Sequence, residues 1–176
     1  LFAPIHILWI NLVTDTFPAM ALGMEPAEKD AMNKPPRDPK QTLFADSLGV
    51  DIIYQGVLIA ALTLASFFLG RAVSHITGMT MAFVTLSMCE VFHAVNLRSR
   101  NNSVFAMGGR NLYVFGAMLL STLLTLGVVY IPGINTVFEL VPLTPINLIE
   151  SLGIAFAVIP AVELAKLARR MNARAK

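Results

Sequence analysis

Five runs of this chain are dominated by apolar residues, and each run is about as long as a helix that crosses a lipid bilayer. A hydrocarbon core of about 30 Å requires about 20 mostly apolar helical residues. The runs cover roughly residues 5–23, 48–70, 79–97, 111–131 and 146–168. The pattern predicts an all-α protein, an integral membrane bundle of five transmembrane helices that occupies residues 1–176 as one domain.

The segments between the runs hold most of the charge. Twelve of the thirteen Lys and Arg residues lie in the Pro-rich loop 24–47, in the basic turn 98–110 or in the tail from Lys166 onward, and Arg71 alone lies on the opposite side. Short loops with an excess of Lys and Arg stay on the cytoplasmic side of a membrane. We therefore expect loops 24–47 and 98–110 and the C-terminus to be cytoplasmic, and the N-terminus to lie outside.

Composition supports a membrane protein. The chain is 56% hydrophobic and 14% charged, whereas soluble domains are about 45–50% apolar and about 25% charged. The net charge of +2 is too small and too segregated for nucleic-acid binding, so the lipid bilayer is an expected partner and nucleic acid is not. The chain begins with Leu1 rather than Met, and its first apolar run has no basic region before it and does not resemble a signal peptide, so we expect the chain to be a segment of a longer protein.

Small residues at four-residue spacing predict where these helices touch in lipid. The predicted contact positions are Gly56 and Ala60 in the second run, Ala117, Ser121 and Thr125 in the fourth, and Gly153, Ala157, Ala161 and Ala165 in the last. Thr144 followed by Pro145 predicts the N-cap and the first turn of the last helix.

Two carboxyl side chains fall near the middle of apolar runs. An ionised group at that depth costs about 2.5–3.5 kcal/mol even on the lenient insertion scale. Asp15 and Glu90 lie in runs that cross in the same direction, so we expect them at nearly the same depth. Two carboxylates at one level repel each other unless a cation or protons compensate them. Glu163 lies near the end of its run and can pair with Lys166 one turn later.

Polar oxygens surround the first of these carboxyls. Asn11, Thr14 and Asp15 are spaced i, i+3 and i+4, which places an amide, a hydroxyl and a carboxyl on one helical face. Pro18 has no N–H for the Thr14 carbonyl, so we expect a weakened helix with a free main-chain oxygen. Interrupted helices of this kind hold small cations in transporters. The alternative is a proline kink with interhelical hydrogen bonds only.

The second carboxyl begins a polar stripe. His93 and Asn96 follow Glu90 at successive three-residue steps, and His93 is expected to relay protons, to orient Glu90, or simply to bond to a neighbouring side chain. Oxygen ligands alone indicate a hard cation such as Ca²⁺, which takes six to eight of them, although Mn²⁺ also accepts oxygen. The predicted metal ligands are Asn11, Thr14, Asp15 and Glu90. They supply about four to six oxygens, so other helices must complete the site.

Longer motifs resemble one family. The sequence LWINLVTD of residues 8–15, followed by PAMALG of residues 18–23, closely resembles the sixth transmembrane helix of P-type cation ATPases of the calcium-pump group. The sequence MNKPPRDPK of residues 32–40 is similar to the loop between their helices six and seven, and the segment from Thr80 to Asn96 is similar to helix eight. The resemblance covers the whole chain and implies helices six to ten of a ten-helix membrane domain.

The resemblance also implies roles for particular residues. In that family the corresponding residues of helices six and eight bind the transported ion, which assigns that role to Asn11, Thr14, Asp15 and Glu90. Thr16 is a departure, because many members have glycine after the aspartate. The implied parent protein is a translocase in the plasma membrane of a prokaryote. It would use ATP and Mg²⁺ through its cytoplasmic domains and export Ca²⁺ with proton counter-transport.

The implied partner is the N-terminal remainder of the same pump, whose phosphorylation domain would contact the 24–47 loop. These 176 residues contain no Asp-Lys-Thr-Gly phosphorylation sequence and no nucleotide-binding segment, so we expect no catalytic residue here and no ATP hydrolysis by the segment alone. Two other functions stay open on the residues themselves. One is a membrane scaffold whose polar residues join helices, and the other is a fragment of a proton-coupled secondary cation carrier that uses Asp15, Glu90 and His93.

Overall fold

The computed structural model describes residues 1–25, 48–99 and 111–174, and regular structure in these ranges is helical, with no strand. The elements are α1 (Pro4–Trp9), a π-helical segment (Ile10–Asp15), α2 (Thr16–Leu22), α3 (Leu48–Arg71), α4 (His75–Leu97), α5 (Leu112–Tyr130), α6 (Ile134–Val137), α7 (Pro145–Phe156) and α8 (Val158–Arg174). We call the continuous unit Pro4–Leu22 the site helix. Within the described ranges, five stretches are long and apolar enough to span a membrane: Pro4–Leu22, Leu48–Arg71, His75–Leu97, Leu112–Tyr130 and Pro145–Met171. The predicted fold class is confirmed.

Helix α4 lies at the centre of the bundle. Its most apolar window is 72% buried, against 17–33% for the other four spans. The site helix runs parallel to α4, because His6 lies against Phe83, Thr14 against Glu90 and, beyond the helix end, Glu25 against Arg98. Helix α3 runs antiparallel to α4, and α5 runs antiparallel to the site helix. Helix α4, which bears Glu90, therefore contacts each of the other four spans.

The hairpin between α3 and α4 is tighter than predicted. Helix α4 begins at His75, four residues before the predicted start, because Ser74 caps it by accepting a hydrogen bond from the Thr77 amide. Gly78 lies inside the helix and not in the turn. A Cβ on Gly78 would lie 2.8 Å from the Phe67 carbonyl oxygen, and one on Gly70 would lie 2.8 Å from Gly78 Cα. This pair of glycines lets the two backbones meet.

The last predicted helix is interrupted. Helix α7 ends at Phe156 and α8 begins at Val158, because Pro160 has no N–H for the carbonyl four residues earlier and its ring crowds that carbonyl. Helix α8 then continues to Arg174, beyond the predicted limit of 168. Thr144 caps α7 as predicted, accepting from the Asn147 amide at 3.3 Å.

The stripes of small residues are only partly where they were expected. Ser121 and Thr125 are fully buried, as predicted. The prediction is wrong for Gly56 and Gly153, since a Cβ on either would meet nothing within 4 Å. The buried face of α7 and α8 instead presents the carbonyls of Ser151, Ala155 and Val158 to Thr85, Cys89 and Asn96 of α4. The face of α7 and α8 that packs against α4 is thus the face whose carbonyls contact these three side chains.

The loop after α5 folds back over one end of the bundle. It turns at Gly133, whose φ is 89°, and contains the short helix α6. The fully buried ring of His6 hydrogen-bonds through Nε2 to the Phe138 carbonyl, and the Val141 amide donates to Thr80 Oγ1 at 3.1 Å. The 26–47 and 100–110 parts of the two basic loops lie outside the described residues, and so does any contact they make.

Candidate ion site

Three of the four predicted ligands meet where the site helix crosses α4. Thr14 Oγ1 lies 3.0 Å from Glu90 Oε2, and the Asp15 carboxyl lies beside the Glu90 carboxyl. Thr14 is 1% exposed, whereas Asp15 has an exposed outer side. The two carboxyls therefore lie at one level, as the sequence predicted. The binding role of these residues remains a prediction.

The fourth predicted ligand stands apart. Asn11 lies one turn before Asp15, and its side chain is exposed. No hydrogen bond among the described residues joins the Asn11 amide to Glu90. Asn11 and Asp15 thus have oxygens available on the outer side of the site helix. Oxygen ligands from other helices of the parent protein would reach a bound cation from that side.

The backbone at this crossing is widened and not broken. The segment Ile10–Asp15 is π-helical, and π-bulges often mark functional positions. Thr16 Oγ1 donates to the Asn11 carbonyl at 2.9 Å, five residues back. The threonine that departs from the family pattern therefore bonds to the widened turn.

The effect of Pro18 differs from the prediction in its details. The carbonyl of Val13, five residues before this proline, accepts a hydrogen bond from Ser121 Oγ of α5 at 3.0 Å. In a widened helix an amide at position 18 would be directed at that carbonyl, and proline has no N–H to offer. The main-chain carbonyl that bonds to another helix is therefore that of Val13, whereas the sequence predicted a free carbonyl at Thr14. Ser121 was recognised from the sequence only as a small packing residue.

The Thr14 hydroxyl has one proton and two acceptors. Its oxygen lies 2.9 Å from the Ile10 carbonyl and 3.0 Å from Glu90 Oε2. When the hydroxyl donates to the Ile10 carbonyl, its lone pairs can accept a hydrogen bond from the protonated Glu90 carboxyl. When Glu90 is ionised, the hydroxyl can donate to it instead. The pair can therefore adapt to either protonation state of Glu90.

The rest of the polar stripe on α4 points to other helices. His93 Nε2 lies 3.1 Å from Gln55 Oε1 of α3, so His93 bonds to a neighbouring helix, and the described residues show no hydrogen bond from it to Glu90. Asn96 Nδ2 donates to the Val158 carbonyl at 3.3 Å. Cys89 is buried, with Sγ 3.9 Å from the Ala155 carbonyl oxygen. The stripe therefore joins α4 to three different neighbours.

Several charged contacts were not found from the sequence. Asp51, 4% exposed, pairs with Arg169, whose Nη1 donates to Asp51 Oδ2 at 2.8 Å and whose guanidinium lies 5.9 Å from the centre of the Tyr54 ring. The available signal was an aspartate just inside the second run opposite a basic tail. The pair expected between Glu163 and Lys166 is present at 3.1 Å. The bonds from Glu25 to Arg98 and Asn111 were also missed.

The donors at the crossing suit a hard cation. No group of three or more His, Cys, Asp and Glu side chains that could hold a metal occurs in the described ranges. The crossing offers two carboxyls and a hydroxyl, with an amide one turn away. Oxygen donors alone fit Ca²⁺ better than zinc or copper, and their number is below the six to eight that Ca²⁺ takes.

The fold and the site together define a polytopic membrane bundle with paired carboxyls at mid-span, a type of structure found in cation-transporting proteins. The family profile described as "Cation transporting ATPase, C-terminus" matches residues 1–168. The chain belongs to this family.

Known relatives agree. The chain is 42% identical over 146 residues to the calcium-transporting ATPase of Bacillus subtilis (strain 168), a match that covers 81% of the chain and 16% of that protein. It is 35% identical over 192 residues to calcium-transporting ATPase 1 of Bacillus cereus, covering 95% of the chain and 21% of that protein. It is 33% identical over 175 residues to calcium-transporting ATPase type 2C member 2 of Rattus norvegicus, covering 97% and 18%. The matches thus span between 16% and 21% of these relatives' length.

Proposed function

We propose that this chain forms the C-terminal half of the ion pathway of an ATP-driven P-type pump that exports Ca²⁺. Asn11, Thr14, Asp15 and Glu90 contribute oxygen ligands to its intramembrane site. ATP and Mg²⁺ act through cytoplasmic domains that precede this segment in the parent protein. Family membership and relatives named as calcium-transporting ATPases support the proposal.

One observation supports the proposal most directly: the carboxyl of Asp15, on one membrane-spanning helix, lies beside the carboxyl of Glu90 on another. Two adjacent carboxylates in a low-dielectric interior repel each other. A divalent cation removes that repulsion, and so does protonation. The arrangement therefore favours exchange of a cation for protons over simple joining of helices.

The same pair of carboxyls supports proton counter-transport as part of the proposal. When Ca²⁺ leaves, Glu90 takes up a proton and Thr14 can accept a hydrogen bond from the protonated carboxyl. When Ca²⁺ returns, the proton is released. When the pump returns to its Ca²⁺-accepting state, protons in place of Ca²⁺ would therefore keep Asp15 and Glu90 from being two uncompensated carboxylates in the membrane.

The proposed orientation places Arg98 and Arg169 at the cytoplasmic end of the bundle and Arg71 at the other end. The end of the site helix, the end of α4 and the start of α3 all lie at the Arg98 end, as their contacts show. The 24–47 loop would then face the cytoplasm and contact the phosphorylation domain. Bacterial relatives support a prokaryotic plasma membrane.

The complete pump, purified and reconstituted into sealed vesicles, tests this function. With ATP and Mg²⁺ supplied outside, we expect uptake of radioactive Ca²⁺ together with alkalinisation of the vesicle interior. Uptake driven by a pH gradient without ATP would favour the secondary carrier. No uptake under either condition, from protein that folds normally, would favour the scaffold and refute the proposal.

A further inference from the structure

Glu25, three residues beyond the end of the site helix, joins that helix to two others. Its carboxyl accepts hydrogen bonds from Arg98 Nη2 at 2.8 Å, from Arg98 Nε at 3.2 Å and from Asn111 Nδ2 at 2.6 Å. The Arg98 and Glu25 side chains are 4% and 15% exposed. Charge-assisted bonds of this fork geometry are among the strongest that side chains form. We call Glu25, Arg98 and Asn111 the end cluster.

Asn111 uses both ends of its amide in this cluster. Nδ2 also donates to the Ala21 carbonyl at 3.3 Å, and Oδ1 accepts from the amides of Tyr113 and Val114 at 3.0 and 3.3 Å. Asn111 is thus the N-cap of α5. The first turn of α5 and the last turn of α4 are therefore fixed to one point just beyond the site helix.

The same three helices are joined a second time at the level of the paired carboxyls. There Thr14 meets Glu90 of α4, and the Val13 carbonyl accepts from Ser121 of α5. Two helices that are joined by a single contact can still pivot and rotate about that contact. Attachment at two points fixes both their offset and their rotation.

We propose that Glu25 is a positioning residue of the ion pathway: by binding Arg98 and Asn111 it sets the offset between the site helix and α4, and hence the placement of Asp15 against Glu90. This inference rests on the proposed function in that it takes the paired carboxyls to bind the transported cation. Glu25 itself lies beyond the membrane-spanning stretch Pro4–Leu22 and is not one of the predicted ligands.

The charge state of Glu25 suits this role. The hydrogen bond from Arg98 lowers the pKa of the Glu25 carboxyl against the opposing effect of burial, and the Asn111 amide lowers it further. The carboxylate therefore stays ionised at neutral pH, and the link does not change as the ion site exchanges protons.

The first test measures Ca²⁺-dependent ATPase activity of the complete pump. Glu25→Gln and Arg98→Gln should each raise the half-saturating Ca²⁺ concentration about tenfold while changing the maximal rate less than about twofold. The half-saturating concentration of the double variant should be no higher than that of either single variant, because both changes break the same contact. Glu163→Gln is the matched control. Glu163, like Glu25, is mostly buried and ion-paired, but it lies on α8, which carries no predicted ligand, so its replacement should change half-saturation less than about twofold.

The second test is independent of which ion is moved. Spin labels at Met20 and Leu97, both exposed near the Arg98 end, report the distance between the site helix and α4 in the complete pump with its native cysteines replaced. Glu25→Gln should broaden or lengthen that distance, and Glu163→Gln should not.

The outcomes separate this inference from the proposed function. A parent pump without Ca²⁺-stimulated activity refutes the proposed function, and the spin-label distance then decides the role of the end cluster. An unchanged distance, or an unchanged half-saturation in an active pump, overturns the positioning role. Lower yield or maximal rate alone would indicate a merely structural contact and also contradict it.

Discussion

Thr14 and Glu90 are 76 residues apart in the sequence, yet the hydroxyl of one lies 3.0 Å from the carboxyl of the other. This contact marks the level at which the site helix crosses the most buried helix of the bundle. Asp15, the next residue, adds a second carboxyl at the same place. The proposed ion site lies at that crossing.

Replacing Glu90 with Gln should weaken Ca²⁺ binding to the complete pump about tenfold or more, or about 1.4 kcal/mol, because one charged ligand is lost. In the proposed function protons and Ca²⁺ compete for Glu90, so we expect a higher pH to favour Ca²⁺ binding and a lower pH to favour the protonated form. Glu90→Gln cannot exchange that proton, and its Ca²⁺ affinity should depend less steeply on pH. Equilibrium Ca²⁺ binding measured against pH checks this. Equal affinity and pH slope in the two proteins would make Glu90 a packing residue.

Pro18→Ala should lower Ca²⁺ affinity by several-fold, about 1 kcal/mol, without abolishing transport. The new N–H can bond to a main-chain carbonyl and favour an ordinary α-helix over the π-helical turn. Pro160→Ala is the control, because Pro160 interrupts a helix that has no predicted ligand. Ca²⁺ titration of ATPase activity should show a shift for Pro18→Ala alone. Equal shifts in both variants would exclude a special role for the widened turn.

Gly78→Ala should destabilise the protein by about 1–3 kcal/mol, the usual cost of forcing atoms into a packed contact. The added Cβ would lie 2.8 Å from the Phe67 carbonyl oxygen and 2.9 Å from the Arg71 amide nitrogen, both main-chain atoms. In contrast, Gly153→Ala meets nothing within 4 Å and should be neutral or stabilising by up to about 1 kcal/mol. Thermal inactivation of the two variants of the complete pump gives the comparison. Similar melting temperatures would contradict the close approach of α3 and α4.

Glu25→Gln should reduce thermal stability near neutral pH, and the difference from wild type should shrink in acid. The Glu25 pKa is lowered from its ordinary value of 4.5, chiefly by the Arg98 hydrogen bond. A lowered pKa contributes stability that is fully present above the ordinary value and is lost as the pH falls through the lowered one. Melting temperatures of both proteins at about pH 7 and about pH 4 test the sign. A difference that grows in acid would contradict the ion pair.

The sequence was sufficient to predict the spans and the meeting of two carboxyls. Asp15 and Glu90 stand out because charge is rare at membrane depth, and the alternation of loop charges places their helices in the same direction. Thr144 and Pro145 marked a helix start through local chemistry alone. These features depend on composition and short spacing, which a single sequence shows directly.

Other features depend on helix rotation and on distant partners. Gly78 is typical of a turn by composition, and only its approach to Gly70 makes it a helix contact. His93 could face Glu90 or α3, and the rotation of α4 directs it to Gln55. The end cluster joins residues from three separate segments of the chain, and no spacing rule connects them.

The most direct test of the ion site is phosphorylation of the complete pump by ATP at increasing Ca²⁺ concentrations, with wild type compared with Asp15→Asn. In the proposed site the Asp15 carboxylate offsets part of the charge of a divalent cation in the membrane interior, so we expect Ca²⁺-dependent phosphorylation to be lost in the variant. Glu150→Gln, which removes an exposed carboxyl from α7, should behave as wild type. Phosphorylation of Asp15→Asn with normal Ca²⁺ dependence would contradict the assignment of the ion site to the crossing of the site helix and α4.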